Sequence, residues 1–576
     1  MAGLVKLIVL GSTISSAVAK CYDPTPAFPV PLWEGTTNGL ESALETITQN
    51  LNKLAEDSEY DTSSFSVEVT SDTDTLWTHF HTARKQNETR PGVRHVDGDS
   101  IYRIASITKT FTTLGILYQH TAGNLSLDDT VDNYIAELAG PAIGAIPWND
   151  ITLRIMASQL SGIPREGMAQ ADLMNGLPDP TAVGLPPASM VDLPPCYQHP
   201  DFSPCNRTGL LDNLNKRSPL FAPNQKSTYS NLNFELLGLV LENVTGVTYS
   251  EYMRAAIFAP LSMTSTSLST PPSDDHAVLP LGQFFWDVDQ GVHAPTGGIF
   301  SSSRDMSKYA RFILAHSNAL APGVNWLSPA SWSTDTSSFY GLPWEIFRTS
   351  RLLQPHSSRP ITFVTKSGGV PDYFSRLSIV PEYGLGLTVL VGGNADLLEQ
   401  IQELVTVPLI RAAEAQVWRD VADRYTGTYT ATNSTLNSSI ELASSAATGL
   451  TLTSFISNSS DVFATLLPLF NGAAADGTWR AQLVPTLLYK NETTRQGEIW
   501  RIVIAAEREG ERADRPIWDD FCITDVDTVS YAGLPINEVV FWHEEGVLEL
   551  PAWKVSMKRA REGAETLVVQ GGLGAM

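Results

Sequence analysis

The chain is poor in cysteine. It has four in 576 residues, at positions 21, 196, 205 and 522, and no C-x-x-C pair. That spacing gives a zinc or dithiol redox site little support. It is also poor in positive charge, with 38 Lys and Arg against 62 Asp and Glu and a formal net charge of -24. An acidic surface repels phosphate backbones and anionic lipid, so nucleic-acid and membrane-surface binding are disfavoured. Long apolar runs are missing too. The stretch Leu7 to Leu10 is broken by Gly11, Ser12 and Thr13, too short for a membrane span. The Gly571-Gly572-Leu573-Gly574-Ala575-Met576 end reads as carrying no anchor tail. Core-forming residues are plentiful: 43% of the chain is hydrophobic and 17% charged, which excludes wholesale disorder. The length suggests two or three domains.

The N-terminus reads as a secretory signal over residues 1–19, with Lys6 ahead of the apolar run and Ala17-Val18-Ala19 as a small-x-small cleavage pattern. A soluble, secreted, extracellular protein is therefore expected. The favoured cysteine pairing of the three possible is Cys196–Cys205 as a local clip and Cys21–Cys522 as a tie between the mature N-terminus and the C-terminal region. Eight N-x-Ser/Thr sequons begin at Asn87, Asn124, Asn206, Asn243, Asn433, Asn437, Asn458 and Asn491, which suits a eukaryotic secretory route with glycosylation.

Leu40, Ala43, Leu44, Ile47, Leu51 and Leu54 mark an amphipathic helix. Phe65, Val67 and Val69 alternate with polar residues, and a turn at Ser71 to Asp74 leads to a return strand over Leu76 to His81. His79 and His81 share a face of that strand. Without a third ligand they read more simply as part of a polar strand face than as a metal pair. A helix is expected from Thr152 to Ser161, and a Pro-rich excursion from Pro178 to Pro204 is either a lid or a stapled insertion. Asn231 to Asn243 is apolar nearly all round, as a buried helix is. The Gly297-Gly298 turn lacks the spacing of a phosphate loop and precedes a helix over Arg304 to Ala315. Thr362 to Thr365 and Gly386 to Val391 are strand-like with turns between them, and Glu399 to Val417 is helical. Beyond about residue 420 short strand-like segments dominate, which marks a separate β-rich domain over 420–576, after a first domain over 20–415.

Three short motifs carry the chemistry. In Ser106-Ile107-Thr108-Lys109 the serine ends a strand-like run and opens a helix that stops near Gly123, and Lys109 lies one turn on, on the same face. An amine there can take the hydroxyl proton, and the helix end favours the negative charge that develops. Taken alone, the tetrapeptide reads as a helix cap with a solvated lysine behind it. Ser-x-x-Lys occurs once in the chain, however, and is followed by Tyr229-Ser230-Asn231 just before the buried helix and by Lys366-Ser367-Gly368 at a strand end. Tyr-x-Asn recurs at Tyr489-Lys490-Asn491, where Asn491 opens a sequon.

The ordered set Ser-x-x-Lys, Tyr-x-Asn, Lys-Ser-Gly resembles the serine β-lactamase and penicillin-binding-protein superfamily. It is most similar to class C β-lactamases and the related esterases and peptidases, over roughly residues 60–415. Leu125 to Val131, Leu160-Ser161-Gly162-Ile163-Pro164 and Gly384-Leu385-Gly386 look like that family as well. The N-terminal signal, the cysteine excursion and the C-terminal β region further resemble secreted fungal β-lactamase-like proteins. Patterning alone gives α+β; the resemblance implies a five-stranded antiparallel sheet flanked by helices, with the site between sheet and helical lobe. It makes Ser106 the acylated nucleophile and sets Lys109 against both Ser106 and Tyr229. Tyr229 becomes general base or acid, with its phenol pKa pulled down by two lysines. Asn231 binds the acyl side chain or steadies Lys109. Lys366, with Ser367, meets a substrate carboxylate or polar group, and the N–H groups of Ser106 and Gly369 form the oxyanion hole. The Gly368-Gly369 pair fits a strand edge that a substrate backbone approaches closely. Gln159 stands where relatives commonly carry His. No Glu matches the class A deacylation carboxylate, which leaves that step to Tyr229 or Lys109.

The implied activity is hydrolysis of an ester, amide or lactam in a small molecule or short peptide, with no cofactor and no metal. Acyl transfer to an alcohol of a small metabolite is the alternative. A non-catalytic binding protein on the same fold is disfavoured by three intact motifs.

Overall fold

The computed structural model describes residues 24–560, apart from 34–38, 140–145, 168–172, 174–176, 178, 188–195, 197, 199–201, 283, 471–478, 507–515, 523–525 and 528. The signal-like segment, Cys21 and parts of the Pro-rich excursion lie outside the described residues. Two compact units are present: Val30–Leu352 with Pro360–Ala413, and Met1–Pro29 with Leu353–Arg359 and Glu414–Met576.

The first unit is built on an eight-stranded antiparallel sheet. Its strands are β1 (Ser64–Thr70), β2 (Thr75–His81), β5 (Ser331–Trp332), β6 (Ser338–Tyr340), β7 (Glu345–Thr349), β8 (Ile361–Val370), β9 (Tyr373–Val380) and β10 (Leu385–Gly392), in the order β2-β1-β10-β9-β8-β7-β6-β5. A small separate pair joins β3 (Ile101–Arg103) to β4 (Phe300–Ser302). The five strands β2 to β8 are the expected sheet, and three short strands extend it beyond β8. The β1–β2 hairpin has Phe65 opposite His81, as its alternation predicts. His79 and His81 both stack near the Phe65 ring.

The polar face of β1 is not solvated. The helix Ser303–His316 covers it, and Ser303 and Ser307 donate to the buried Glu68 carboxylate at 2.7 and 2.9 Å. Those bonds satisfy a charge whose burial would otherwise be costly. The helix Leu232–Thr245 is buried along most of its length, as its apolar sequence requires, and ends on Gly246 at φ 72°. The expected helix over Thr152 to Ser161 shrinks to Leu153–Ala157, because Gln159 turns the chain at φ 63°. No described helix is long and apolar enough to cross a membrane.

The second unit is a closed antiparallel β-barrel. Eight strands run around it in the order Ser439–Ser445, Gly427–Ala431, Val555–Arg559, Val547–Leu550, Glu538–Trp542, Gln496–Ala506, Trp479–Asn491 and Gly449–Ser457, and pairing of the last with the first closes the ring. Closure removes the exposed edges an open sheet would leave. Tyr429, Leu442, Leu450, Leu483, Trp500, Val540, Leu548 and Met557 are buried in this unit.

Of the expected disulfides, Cys196–Cys205 is formed. Cys522 is also disulfide-bonded, while its expected partner Cys21 lies outside the described residues. Seven of the sequon asparagines are exposed and Asn87 is half-buried.

Candidate active site

Three separate elements bring the motifs together. Ser106 sits in a single 3₁₀ turn, Ala105–Ile107, that runs into the helix Thr108–Thr121. The turn is entered through Ala105 at φ 45°, a left-handed conformation that a residue with a side chain adopts only when its surroundings hold it. Two contacts do so here: Ser375 on β9 donates to the Ile104 carbonyl at 2.8 Å, and the Ile104 N–H bonds the Ile299 carbonyl. Gly368 on β8 is pressed against the same turn. A Cβ there would lie 2.2 Å from the Ile104 oxygen and 3.1 Å from the Ser106 nitrogen. Gly368 is thus required by the serine turn itself, a reason for the glycine separate from the expected approach of substrate to the Gly368-Gly369 edge. Gly369 is exposed, and a Cβ there would meet only the Phe374 ring at 3.7 Å.

The half-buried Ser106 hydroxyl is contacted from two sides. Lys109 Nζ donates to Ser106 Oγ at 3.0 Å and to the Thr296 carbonyl at 2.8 Å. The Tyr229 hydroxyl donates to Ser106 Oγ at 3.0 Å. Lys109 is fully buried, and burial, with Lys366 adding repulsion, pushes its pKa below the usual lysine value. For Tyr229, burial works to raise the phenol, but Lys109 and then Lys366 outweigh it and lower its pKa. Both shifts make the proton on this pair easier to move.

Lys366 lies inside β8, not at a strand end. Pairing of β8 with β7 nevertheless stops at Thr365, so the following residues have no β7 partner on that side. Lys366 Nζ stands 5.1 Å from the Tyr229 ring centre, bonds Glu345 Oε1 at 2.5 Å and donates to the Ser367 carbonyl at 2.9 Å. Glu345 Oε2 also accepts the Ser367 N–H at 3.0 Å. Burial works against the Lys366 charge, yet Glu345 holds its pKa above the usual value. The Ser367 hydroxyl accepts from Arg376 Nε at 3.1 Å.

Asn231 donates through Nδ2 to Glu166, while its Oδ1 is buried and finds no hydrogen-bond partner among the described residues. Glu166, Glu235 and His293 form a cluster whose nearest ligating atoms all lie within 4.8 Å. His293 Nδ1 contacts Glu235 Oε1 at 2.6 Å. Burial, with Glu235 adding to it, raises the Glu166 carboxyl. Gln159 is the post behind the Tyr229 loop: its Oε1 accepts the Ser230 N–H at 2.8 Å and Asn233 Nδ2 at 3.0 Å.

Glu345, Glu166, His293 and Glu235 are absent from the sequence reading. Glu345 carries no local signal beyond a polar residue at the head of a short strand, and Glu166 only its place just after the Gly162-Ile163-Pro164 turn. Beside Ser367, a cleft of about 670 Å³ is lined by Tyr340, Glu345, Phe347, Phe363 and Arg376 on the strands and Gln402 on the following helix.

A family model described as Beta-lactamase matches residues 44–396, and one described as Beta-lactamase-like-like, C-terminal domain, matches 417–561. The chain is 31% identical over 555 residues to "Probable hydrolase M10" of Phoma sp., covering 93% of this chain and 90% of that one. It is 30% identical over 565 residues to "Probable hydrolase clz13" of Cochliobolus lunatus, with 93% and 90% covered. A solved class C β-lactamase covers 64% of this chain and 96% of its own, at 16% identity and a TM-score of 0.47.

Proposed function

This chain belongs to the β-lactamase family, and on that premise we propose that it is a serine hydrolase cleaving an ester, amide or lactam through an acyl-Ser106 intermediate. The observation that carries the proposal is the convergence of Lys109 Nζ and Tyr229 OH on Ser106 Oγ, each at 3.0 Å. Ser106 Oγ attacks the carbonyl carbon as its proton passes to the Lys109–Tyr229 pair, and the carbonyl electrons move onto oxygen. The N–H groups of Ser106 and Gly369 are assigned to that oxyanion, a role whose loss typically costs about a hundredfold or more in rate. Collapse expels the alcohol or amine, which takes a proton from the same pair. Water then attacks the acyl-serine by the reverse proton route, and acid and free Ser106 are released. Ser106→Ala is expected to abolish turnover of p-nitrophenyl esters, D-amino-acid peptides or nitrocefin, and labelling by a fluorophosphonate probe. Labelling that persists in the variant sinks the proposal.

Acyl transfer to an alcohol is the second reading. Product analysis with a competing alcohol separates the two, because only a transferase yields ester in excess of acid. We also place the protein on the secretory route, on the N-terminal signal pattern and the accessibility of the sequons. Loss of mass on glycosidase treatment of the native protein tests that placement.

A further inference from the structure

We propose that Glu345 fills the anion position beside Lys366 from within the protein, so that the site selects acyl compounds lacking a carboxylate on the part that faces Lys366. This rests on the serine-hydrolase reading above. Lys366 is 1% exposed, and its ammonium stands 5.1 Å from the Tyr229 ring centre. Glu345 bonds that ammonium. Its side chain remains 31% exposed and lines the cleft, while one oxygen takes the ammonium and the other the Ser367 N–H. Those two donors, a lysine and a strand N–H after the last β7 pair, are the groups an incoming carboxylate would use. A carboxylate already bonded to both leaves an incoming one facing like charge.

Of the other cations over Tyr229, Lys109 does not replace Lys366, while the Arg165 side chain is 63% exposed. Among the described residues, three cations stand over that ring: Lys109 at 5.2 Å, Arg165 at 4.8 Å and Lys366. Lys109 is committed to Ser106 and Thr296, and Arg165 stands 3.5 Å from Glu166. Arg376, which donates to the Ser367 hydroxyl, is bound bidentately by Glu399. The wall of the cleft beyond Glu345 is aromatic, with Tyr340, Phe347 and Phe363.

The test uses matched esters on the full-length protein. 3-Carboxyphenyl butanoate is compared with its methyl ester, and mono-p-nitrophenyl glutarate with its methyl ester, so that the charge sits first on the leaving group and then on the acyl side. The wild type is expected to favour the neutral member of at least one pair by about tenfold or more in kcat/KM. Glu345→Gln is expected to shrink that ratio about tenfold in the same pair, mainly through KM of the acid, and Glu345→Asp to restore it. Equal or better turnover of both acids by the wild type overturns the proposal, even if Glu345→Gln fails to fold. An unchanged ratio in a folded Glu345→Gln overturns it as well. In either case ester turnover continues and the hydrolase reading stands. No turnover of any of the four esters, with Ser106 unlabelled, removes the proposal together with the reading it rests on.

Discussion

Two lysines flank the same tyrosine, and they are held in opposite ways. Lys109 is buried among neutral partners, the Ser106 hydroxyl and the Thr296 carbonyl. Burial wins there, and its proton is loosened. Lys366 is as deeply buried, yet a carboxylate touches it, and attraction wins. Nearly equal burial therefore gives one lysine suited to exchanging protons and one fixed as a cation. What separates them is a single residue, Glu345. A lysine motif names a position, and its partner decides what that position does.

Replacing each lysine by arginine, which keeps the charge and cannot lose it, tests this contrast most severely. Lys109→Arg is expected to lower kcat by about a hundredfold or more, the usual worth of a general acid–base group. Lys366→Arg keeps a cation beside Glu345 and is expected to lose about tenfold, through altered geometry alone. Equal losses in steady-state assays would mean that the two lysines do the same work.

Gly368→Ala attacks the scaffold that both lysines share. Its Cβ would sit 2.2 Å from the Ile104 oxygen and 2.4 Å from Ser375 Oγ. A loss of roughly 1–3 kcal/mol is expected on thermal or denaturant unfolding, the ordinary cost of overpacking. Activity should fall with it, because the displaced atoms belong to the serine turn. Full activity and stability would show that the turn does not depend on this contact.

Glu166→Gln leaves both lysines in place and removes a charge that faces Asn231, Arg165 and the Glu235–His293 pair. A several-fold change in kcat is expected, with less effect on stability. A variant with wild-type kinetics would put Asn231 outside the reaction.

The smallest effect is the pH dependence of stability. The Lys109 pKa is lowered on folding, so the unfolded chain binds more proton, and this group's contribution to stability rises with pH up to the ordinary lysine value. The Lys366 pKa is raised, so its contribution is full below that value and is lost as pH climbs through the higher folded one. Burial alone would raise the Glu345 carboxyl, but Lys366 lowers it. Its contribution is therefore present above the ordinary carboxylate value and is lost as pH falls through the folded one. Melting temperatures of the wild type and Glu345→Gln should diverge above that acidic window and converge below it.

The sequence makes Ser106, Lys109, Tyr229, Asn231 and Lys366 legible because each belongs to a short motif whose members are fixed by local geometry. Strands such as β1 and β8 are legible for the same reason, since alternation or an apolar run needs no distant partner. Glu345 and Glu166 are not. Glu345 meets Lys366 across 21 residues and Glu166 meets Asn231 across 65, and nothing in the neighbourhood of either announces the contact. The sequence places Tyr373–Val380 in a run of turns, and the structure makes it a strand. Every position of it from Leu377 on is buried, so the alternation that would mark it is missing. Gln159 was noted only as a departure from relatives, and its use emerges once it is seen to hold Ser230 and Asn233.

The central claim is that a buried Lys109 and the Tyr229 it contacts draw the proton from Ser106. The rate at which a fluorophosphonate labels Ser106, followed from neutral to alkaline pH in the wild type and Lys109→Arg, tests it most directly. The account predicts that the wild-type rate levels off at a pH below the ordinary values of both lysine and tyrosine, and that Lys109→Arg loses this ionisation along with most of the rate. A wild-type rate that climbs through those ordinary values, or one unaffected by Lys109→Arg, would contradict it.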